Sequence, residues 1–397
     1  MLLRPRGIAE VYWACGGGVL LVLAGLLPPR QALYAAYEGW DVYLFLAGMM
    51  VLAEMAREEG VFDWAAGLAA GHAKDSPRRL FVLVYIVGVV VTALLSNDAT
   101  AVVLTPAVLT VVRRARVDPK PYLLACAFIA NAASFVFPIS NPANLVVFDR
   151  HLPPLLAWLR IFLLPSIASV LVTFLCLRWS SRKQLQGVIQ GELKAAPLTP
   201  EGRFALAGLL LAATALILSS AFGLPLGAPT CAAAVLAMAF VAWRNPGIVS
   251  HVAREVSWSV LPLVAGLFVI VEALHSAGLL AVGLAGLHRL GQASAWIAKP
   301  VAAFAVALAS NGMNNLPIGL MSGAAIEHAR ETSVVAHAIL IGIDLGPNLS
   351  VSGSLATILW LIVLRRENVQ ITAGEFFRIG ITAMPLAMIA SLLLLWS

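Results

Sequence analysis

Asp98 stands in the tripeptide Ser96-Asn97-Asp98, between an apolar run at 80–95 and another at 99–112. An ionisable side chain in the middle of such a pair is costly in a bilayer and marks an ion or proton path. Thr100 follows at the same break, and three further polar breaks interrupt apolar sequence. The second carries Ser140, Asn141 and Asn144; the third Ser310, Asn311, Asn314 and Asn315; the fourth Asp344, Asn348, Ser350, Ser352, Ser354 and Thr357. A helix broken inside a membrane exposes N–H and C=O groups that lipid cannot satisfy, so such breaks persist around a polar cavity or a bound solute. Hydroxyls and amides there would hydrogen-bond a small polar solute, and Asp98 and Asp344 would couple its passage to protons. Glu54 and Glu272 are second candidates for proton coupling, near the ends of their spans, where helix capping or snorkelling explains them equally well. Helix capping alone accounts for any one of these Asn or Ser residues more readily than for all four breaks together.

The missing chemistry is as informative. No Arg or Lys sits at the breaks to grip a dianion with two hydrogen bonds, which weakens a dicarboxylate reading, although helix N-termini can hold carboxylates unaided. The four cysteines (Cys15, Cys126, Cys176, Cys231) lie singly in apolar stretches, and the seven histidines form no ligand cluster, so neither a disulfide framework nor a metal site is expected. No Gly-x-x-x-x-Gly-Lys-Ser/Thr segment is present, nor a Ser/Lys pair or paired-Asp motif. An enzyme is not expected, and no cofactor is called for.

The elements that must position these residues are apolar. Of 397 residues 60% are hydrophobic and 12% charged, with a mean hydropathy of +0.90, against about 25% charged in soluble domains. Apolar runs recur near 11–28, 40–56, 80–95, 99–112, 121–149, 161–178, 204–222, 229–243, 258–274, 299–310, 315–325, 333–345, 354–364 and 375–396, several of them long enough to cross a bilayer. The composition predicts an all-α polytopic membrane protein and argues against nucleic acid as a partner, because the basic residues that give the net charge of +6 lie in short loops. No cleavable leader is expected.

The two halves resemble each other. Ala47 to Glu54, followed by Gly60, aligns with Ala265 to Glu272, followed by Gly278, at an offset of 218. Ser96-Asn97 aligns with Ser310-Asn311, Pro106 roughly with Pro317, and Ser140 to Asn144 with Gly353 to Thr357. This predicts an inverted repeat of two five-element units, each with a re-entrant hairpin and a broken helix, about ten spans and two hairpins in all. The expected divisions are 1–178 for the first repeat, 179–228 for a basic linker plus connecting helix, and 229–397 for the second repeat. Twenty of the 26 Lys and Arg, starting with Arg4 and Arg6, collect on one side. That side, the N-terminus and the linker are predicted cytoplasmic, the C-terminus periplasmic.

At the breaks the sequence resembles the ArsB family of arsenite and antimonite efflux carriers. The segments that carry the resemblance run from Thr92 through Ser96-Asn97-Asp98 to Leu104-Thr105-Pro106, from Met313 to Pro317, and from Asp344-Leu345-Gly346-Pro347 through Gly353 to Trp360. It covers essentially the whole chain. It implies an inner-membrane carrier that exports trivalent arsenic or antimony in exchange for protons, sometimes with an ATPase subunit docked on its cytoplasmic face. Asn348 departs from the family pattern, standing where many members have Lys after Gly-Pro. A sodium/proton antiporter or another anion carrier of the same superfamily is the alternative.

Overall fold

The computed structural model describes residues 10–148, 152–191, 197–278, 285–286, 290, 292–329 and 334–396. Arg4, Arg6, His151 and His288 lie outside them. Among the described residues the chain is all-helical. The first half comprises α1 (Glu10–Leu23), α2 (Pro29–Glu38), α3 (Trp40–Glu58), α4 (Val61–Gly71), α5 (Pro77–Leu94), α6 (Thr105–Ala115), α7 (Lys120–Ala132), α8 (Pro142–Phe148) and α9 (Leu155–Ser180). After α10 (Pro200–Ala221) come α11 (Gly227–Ala242), α12 (Gly247–Glu255), α13 (Val260–Ser276), α14 (Ala295–Met313), α15 (Asn315–Ala329), α16 (Val334–Leu345), α17 (Leu355–Arg366) and α18 (Ala373–Leu393).

Four helices, α5, α9, α10 and α18, are long and apolar enough to cross a membrane singly, or up to six spans if the bent pairs α2–α3 and α12–α13 each count as one. α9 and α10 present exposed leucines along their outer faces, such as Leu163, Leu171, Leu175, Leu210 and Leu211. Such faces belong against lipid. α5 has 18 residues, enough to cross alone, so a hairpin reading of 77–115 rests on its polar tip rather than on helix length. Short helices also appear outside the apolar runs: α2 and α12, which are amphipathic, and α4, which is largely apolar.

Among the described residues the order of elements from α1 to α9 recurs from α11 to α18, except for α4. Packing is reciprocal: α3 lies on α11 and α13 on α1, while α8 lies on α15 and α17 on the π-helical turn Ala99–Leu104 that opens α6. Two aligned glycines make the close approaches possible. A Cβ on Gly48 would stand 2.8 Å from the Thr230 backbone on α11, and one on Gly266 would stand 2.8 Å from the Ala14 backbone on α1. Neither position has room for a side chain.

One expected register differs. α5 ends at Leu94, just before Ser96, but α14 continues through Ser310 and Asn311 to Met313. Ser310 Oγ and Asn311 Nδ2 donate to the carbonyls of Val306 and Ala307, one turn back, so both belong to the helix. The chain breaks at Asn314, whose φ of +78° ends the helix. The structural counterpart of Ser96-Asn97 is therefore Asn314-Asn315, which keeps the offset of 218 through the tip.

Candidate functional site

Pro138, Pro142 and Pro347 disrupt α7–α8 and α16–α17, because proline removes a backbone donor and cannot sit inside a helix without distortion. α8 restarts with Pro142 at its first position, and α17 restarts at Ser354, whose Oγ accepts from Thr357 N at 3.2 Å. The two interruptions meet. Asn141, ahead of α8, donates through Nδ2 to Asp344 Oδ1 at 2.6 Å. Ser354, ahead of α17, donates through Oγ to Asn131 Oδ1 at 3.3 Å. Asn131 precedes Asp344 by 213 residues, and Asn141 precedes Ser354 by the same number, so the two bonds are repeat images of each other.

The crossing is closed to solvent. Asp344, Asn144, Asn348 and Thr357 have no exposed surface, and Asn131 and Ser354 have 1% each. Asn348 is fully engaged, donating to Phe128 O at 3.0 Å and accepting from Asn131 Nδ2 at 3.0 Å. Asn144 Nδ2 donates to Ser134 O at 2.9 Å, and Ser140 Oγ donates to Ala93 O at 2.9 Å, tying the break to α5. Thr357 Oγ1 donates to Val351 O at 2.8 Å. Two oxygens are left over: Asp344 Oδ2 and Asn144 Oδ1 are sealed and have no hydrogen-bond partner among the described residues. The proton of Ser134, the other polar neighbour of Asp344, is committed to Asn131 O at 2.7 Å. A buried unpaired acceptor costs about 1–3 kcal/mol, more when charged, so a proton or solute hydroxyl would be welcome at Asp344.

The second polar region is a cavity of about 90 Å³ beside the first tip. Asp98 and Ser96 line it from the tip, Glu54 from α3, and Glu255 and Ser257 from the α12–α13 corner. The tip is held locally: Ser96 Oγ accepts from Ala99 N at 3.1 Å, Asn97 Oδ1 from Asp98 N at 2.9 Å, and Thr100 Oγ1 meets Thr92 Oγ1 at 2.8 Å. The Asp98 carboxylate accepts no hydrogen bond among the described residues. Glu54 is paired with Arg57 through both carboxylate oxygens.

Sequence-expected residues thus fall into separate groups. Asn141, Asn144, Asp344, Asn348, Ser354 and Thr357 meet at the crossing, and Ser96, Asp98 and Glu54 meet at the cavity. Asn311 forms a third group with Ser350 and Ser352, which donate to its Oδ1 (2.5 Å) and O (3.1 Å). Asn314 Oδ1 accepts from Leu316 N at 3.3 Å, and Asn315 is buried beside it. Glu272 stands apart, 3.6 Å from His275 Nδ1 near the end of α13. Asn131, Ser134, Glu255 and Ser257 are polar residues that sequence reasoning missed. Among the described residues no group of three His, Cys, Asp or Glu could hold a metal ion.

An apolar helical chain whose two broken helices cross around buried polar groups has the make-up of a membrane carrier. The profile described as "Citrate transporter" (CitMHS) matches residues 3–343, and the chain belongs to that family. It is 28% identical over 95% of its length, and 91% of the relative's, to an "Arsenical pump membrane protein" of Escherichia coli, and 27% identical with the same coverage to one of Yersinia enterocolitica. Its fold is similar to that of the Alcanivorax borkumensis YdaH transporter, with a TM-score of 0.56 at 17% identity, covering 95% of this chain and 87% of that one. The chain is a multi-pass membrane transporter, not an enzyme.

Proposed function

We propose that the chain exports trivalent arsenic and antimony, as arsenite and antimonite, from the cytoplasm in exchange for protons. The observation that carries this reading is the lining of the cavity at Asp98: three carboxylates, two serine hydroxyls and no Lys or Arg. Glu54 is answered by Arg57, but Asp98 and Glu255 face the cavity with no cation in its wall and disfavour an anion, so a citrate-like tricarboxylate is a poor fit. A neutral trihydroxide of arsenic or antimony is small enough to enter the cavity. It offers three O–H donors to carboxylate acceptors and needs no counter-ion. The "Arsenical pump membrane protein" relatives support the same substrate.

Asp98 is then the residue that holds either a proton or the solute, and its exclusive occupancy makes the exchange obligatory. Asp344, held by Asn141, is a second proton carrier at the crossing. The two units 1–178 and 229–397 are read as inverted repeats joined by 179–228, with hairpin and broken-helix segments moving against the outer helices. The protein is placed by this reading in the inner membrane with a cytoplasmic N-terminus. Any use of ATP falls to a separate subunit docked on the cytoplasmic face.

The acidic lining also suits a sodium ion, which makes sodium/proton exchange the second reading. Arsenite and antimonite uptake into everted vesicles under an imposed pH gradient, with and without sodium, separates the two. Accumulation that follows the proton gradient supports metalloid export. Sodium-driven proton movement indifferent to arsenite supports the antiporter and sinks the metalloid assignment.

A further inference from the structure

Along the seam between α8 and α16, three polar atoms are sealed and have no hydrogen-bond partner among the described residues. Two are Asp344 Oδ2 and Asn144 Oδ1; the third is Nδ1 of His337, seven residues before Asp344 on α16. Seven residues make nearly two helical turns, so His337 and Asp344 share one face of α16, about 10 Å apart. α8 runs antiparallel to that face. Asn141, just ahead of α8, holds Asp344, and seven residues on, Phe148 sets its ring 6.1 Å from that of His337. Asn144 falls on the same stripe of α8, between the two contacts. Another stripe of α8 faces α15, where a Cβ on Gly319 would stand 3.5 Å from Val147 Cγ2 and 3.9 Å from Ala143 Cβ. The seam therefore lines up a carboxylate, an amide and an imidazole, from the crossing outward, with the buried Leu340 and Ile341 between the two ends on α16.

His337 is partly exposed, although its Nδ1 is sealed, and the ring of Phe162 on α9 stands edge-on to it at 5.5 Å. Among the described residues no ion pair reaches it. α8 carries no charge, and Arg160 on α9 and Glu327 on α15 are exposed. Lys120 on α7 pairs with Glu375 on α18, and α18 carries no charge after Arg378. On α14, Ala303 and Ala307 meet Gly342 and Gly346 of α16, which puts Lys299 level with Ala338; its Nζ donates to Leu392 O at 3.3 Å and Leu395 O at 2.9 Å.

The contact with α9 also fixes which end of the molecule this is. Phe162 lies 18 residues before Ser180, about 27 Å along the helix, and Ser180 is the end that leads into the linker predicted to be cytoplasmic. On that reading His337 stands at the periplasmic end and Asp344 deeper. An imidazole takes a proton at one nitrogen and gives one up at the other near neutral pH, and chains of acids and histidines form the proton relays of membrane pumps.

We infer that His337 admits protons from the periplasmic side and delivers them to Asp344. Nε2 takes a proton from outside water, Nδ1 gives one up along the seam past Asn144, and Asp344 Oδ2 accepts it, which leaves a neutral imidazole. Leu340 and Ile341 keep this step shut while the Asp98 cavity is open at the exposed Glu255 and Ser257, as exchange without leak requires, and the step opens as the broken-helix segments move. The inference rests on the proton exchange proposed above and not on which solute is exchanged.

His337→Gln and His337→Phe test it in everted vesicles with two assays. One is uptake of labelled arsenite driven by an acid interior. The other is exchange of labelled for unlabelled arsenite without a pH gradient, which moves solute through the carrier with no net proton flux. Both variants are expected to lower gradient-driven uptake by about ten- to hundredfold and to keep solute-for-solute exchange at the wild-type rate, which also shows that they are folded. Should one variant not fold, the other decides, since Phe keeps the ring packing and Gln keeps a polar group. Wild-type gradient-driven uptake in a folded variant overturns the inference. Equal losses in both assays overturn it too, because they make His337 a packing residue. A wild type that exchanges sodium for protons should show the same split with labelled sodium, whereas a wild type that moves neither solute under the gradient removes the exchange reading itself.

Discussion

The two repeats are built alike at their crossing and charged differently. In each, the polar residue at the end of the first half-helix is gripped by the residue ahead of the other repeat's second half-helix: Asn131 by Ser354, and Asp344 by Asn141. The geometry is shared, yet one position is an amide and its image a carboxylate. The tips differ in the same way, because Asp98 in the first repeat corresponds to Leu316 in the second once the break is placed at Asn314. The conserved half of this arrangement is scaffold, satisfying backbone groups that a broken helix leaves open. The unequal half places one acid at the first tip and one at the crossing, the two positions to which the proposed exchange assigns a proton.

Removing the tip acid should have the largest effect. Asp98→Asn is expected to abolish proton-linked arsenite transport in everted vesicles and leave the unfolding temperature unchanged, since the carboxylate makes no hydrogen bond that the fold needs. Normal exchange by this variant would falsify the role given to Asp98. Making the crossings alike comes next. Asp344→Asn keeps an oxygen for Asn141 Nδ2 and removes a buried carboxylate that is only half paired, so the protein should stay folded while exchange falls by about a hundredfold. The reverse change, Asn131→Asp, places an acceptor against Asn348 Oδ1, where Asn131 Nδ2 now donates. It should destabilise by about 1–3 kcal/mol, read as a lower denaturation midpoint in detergent.

The matched glutamates sharpen the same contrast. Glu54 lines the acidic cavity and Glu272 pairs with His275 away from it. Glu54→Gln should slow transport by up to about tenfold, the weight of one hydrogen-bond acceptor in the cavity wall. Glu272→Gln should change it by less than about twofold, as for other exposed pairs. Equal effects on initial rates would mean that the repeats act symmetrically at these positions.

The breaks were legible in the sequence because Pro and polar residues interrupt apolar runs there, and Asp98 and Asp344 stood out because lipid makes a lone acid conspicuous. Asn131 was not, since it sits singly inside the long run 121–149; counting back 213 residues from Asp344 would have found it. Glu255 and Ser257 escaped because they reach the cavity from a helix corner distant in sequence, a matter of tertiary packing. The repeat alignment made Glu54 and Glu272 equivalent, and only the fold tells them apart.

The smallest predicted effect concerns the register of the second tip. Ser-Asn occurs at 310–311 and Asn-Asn at 314–315, and composition alone favours the first as the match for Ser96-Asn97. The helix decides otherwise, because the Ser310 hydroxyl turns back onto Val306 O at 2.8 Å and the left-handed backbone comes at Asn314. Ser310→Ala should therefore leave transport within about twofold of wild type and shift stability by no more than about 0.5 kcal/mol, the gain from a better helix former offsetting one lost local bond. Asn314→Gly, which suits the positive φ, should fold, whereas Asn314→Val should not reach wild-type stability. A large transport loss in Ser310→Ala, measured beside these two, would return the functional tip to Ser310 and make the two repeats more alike than the crossing carboxylate suggests.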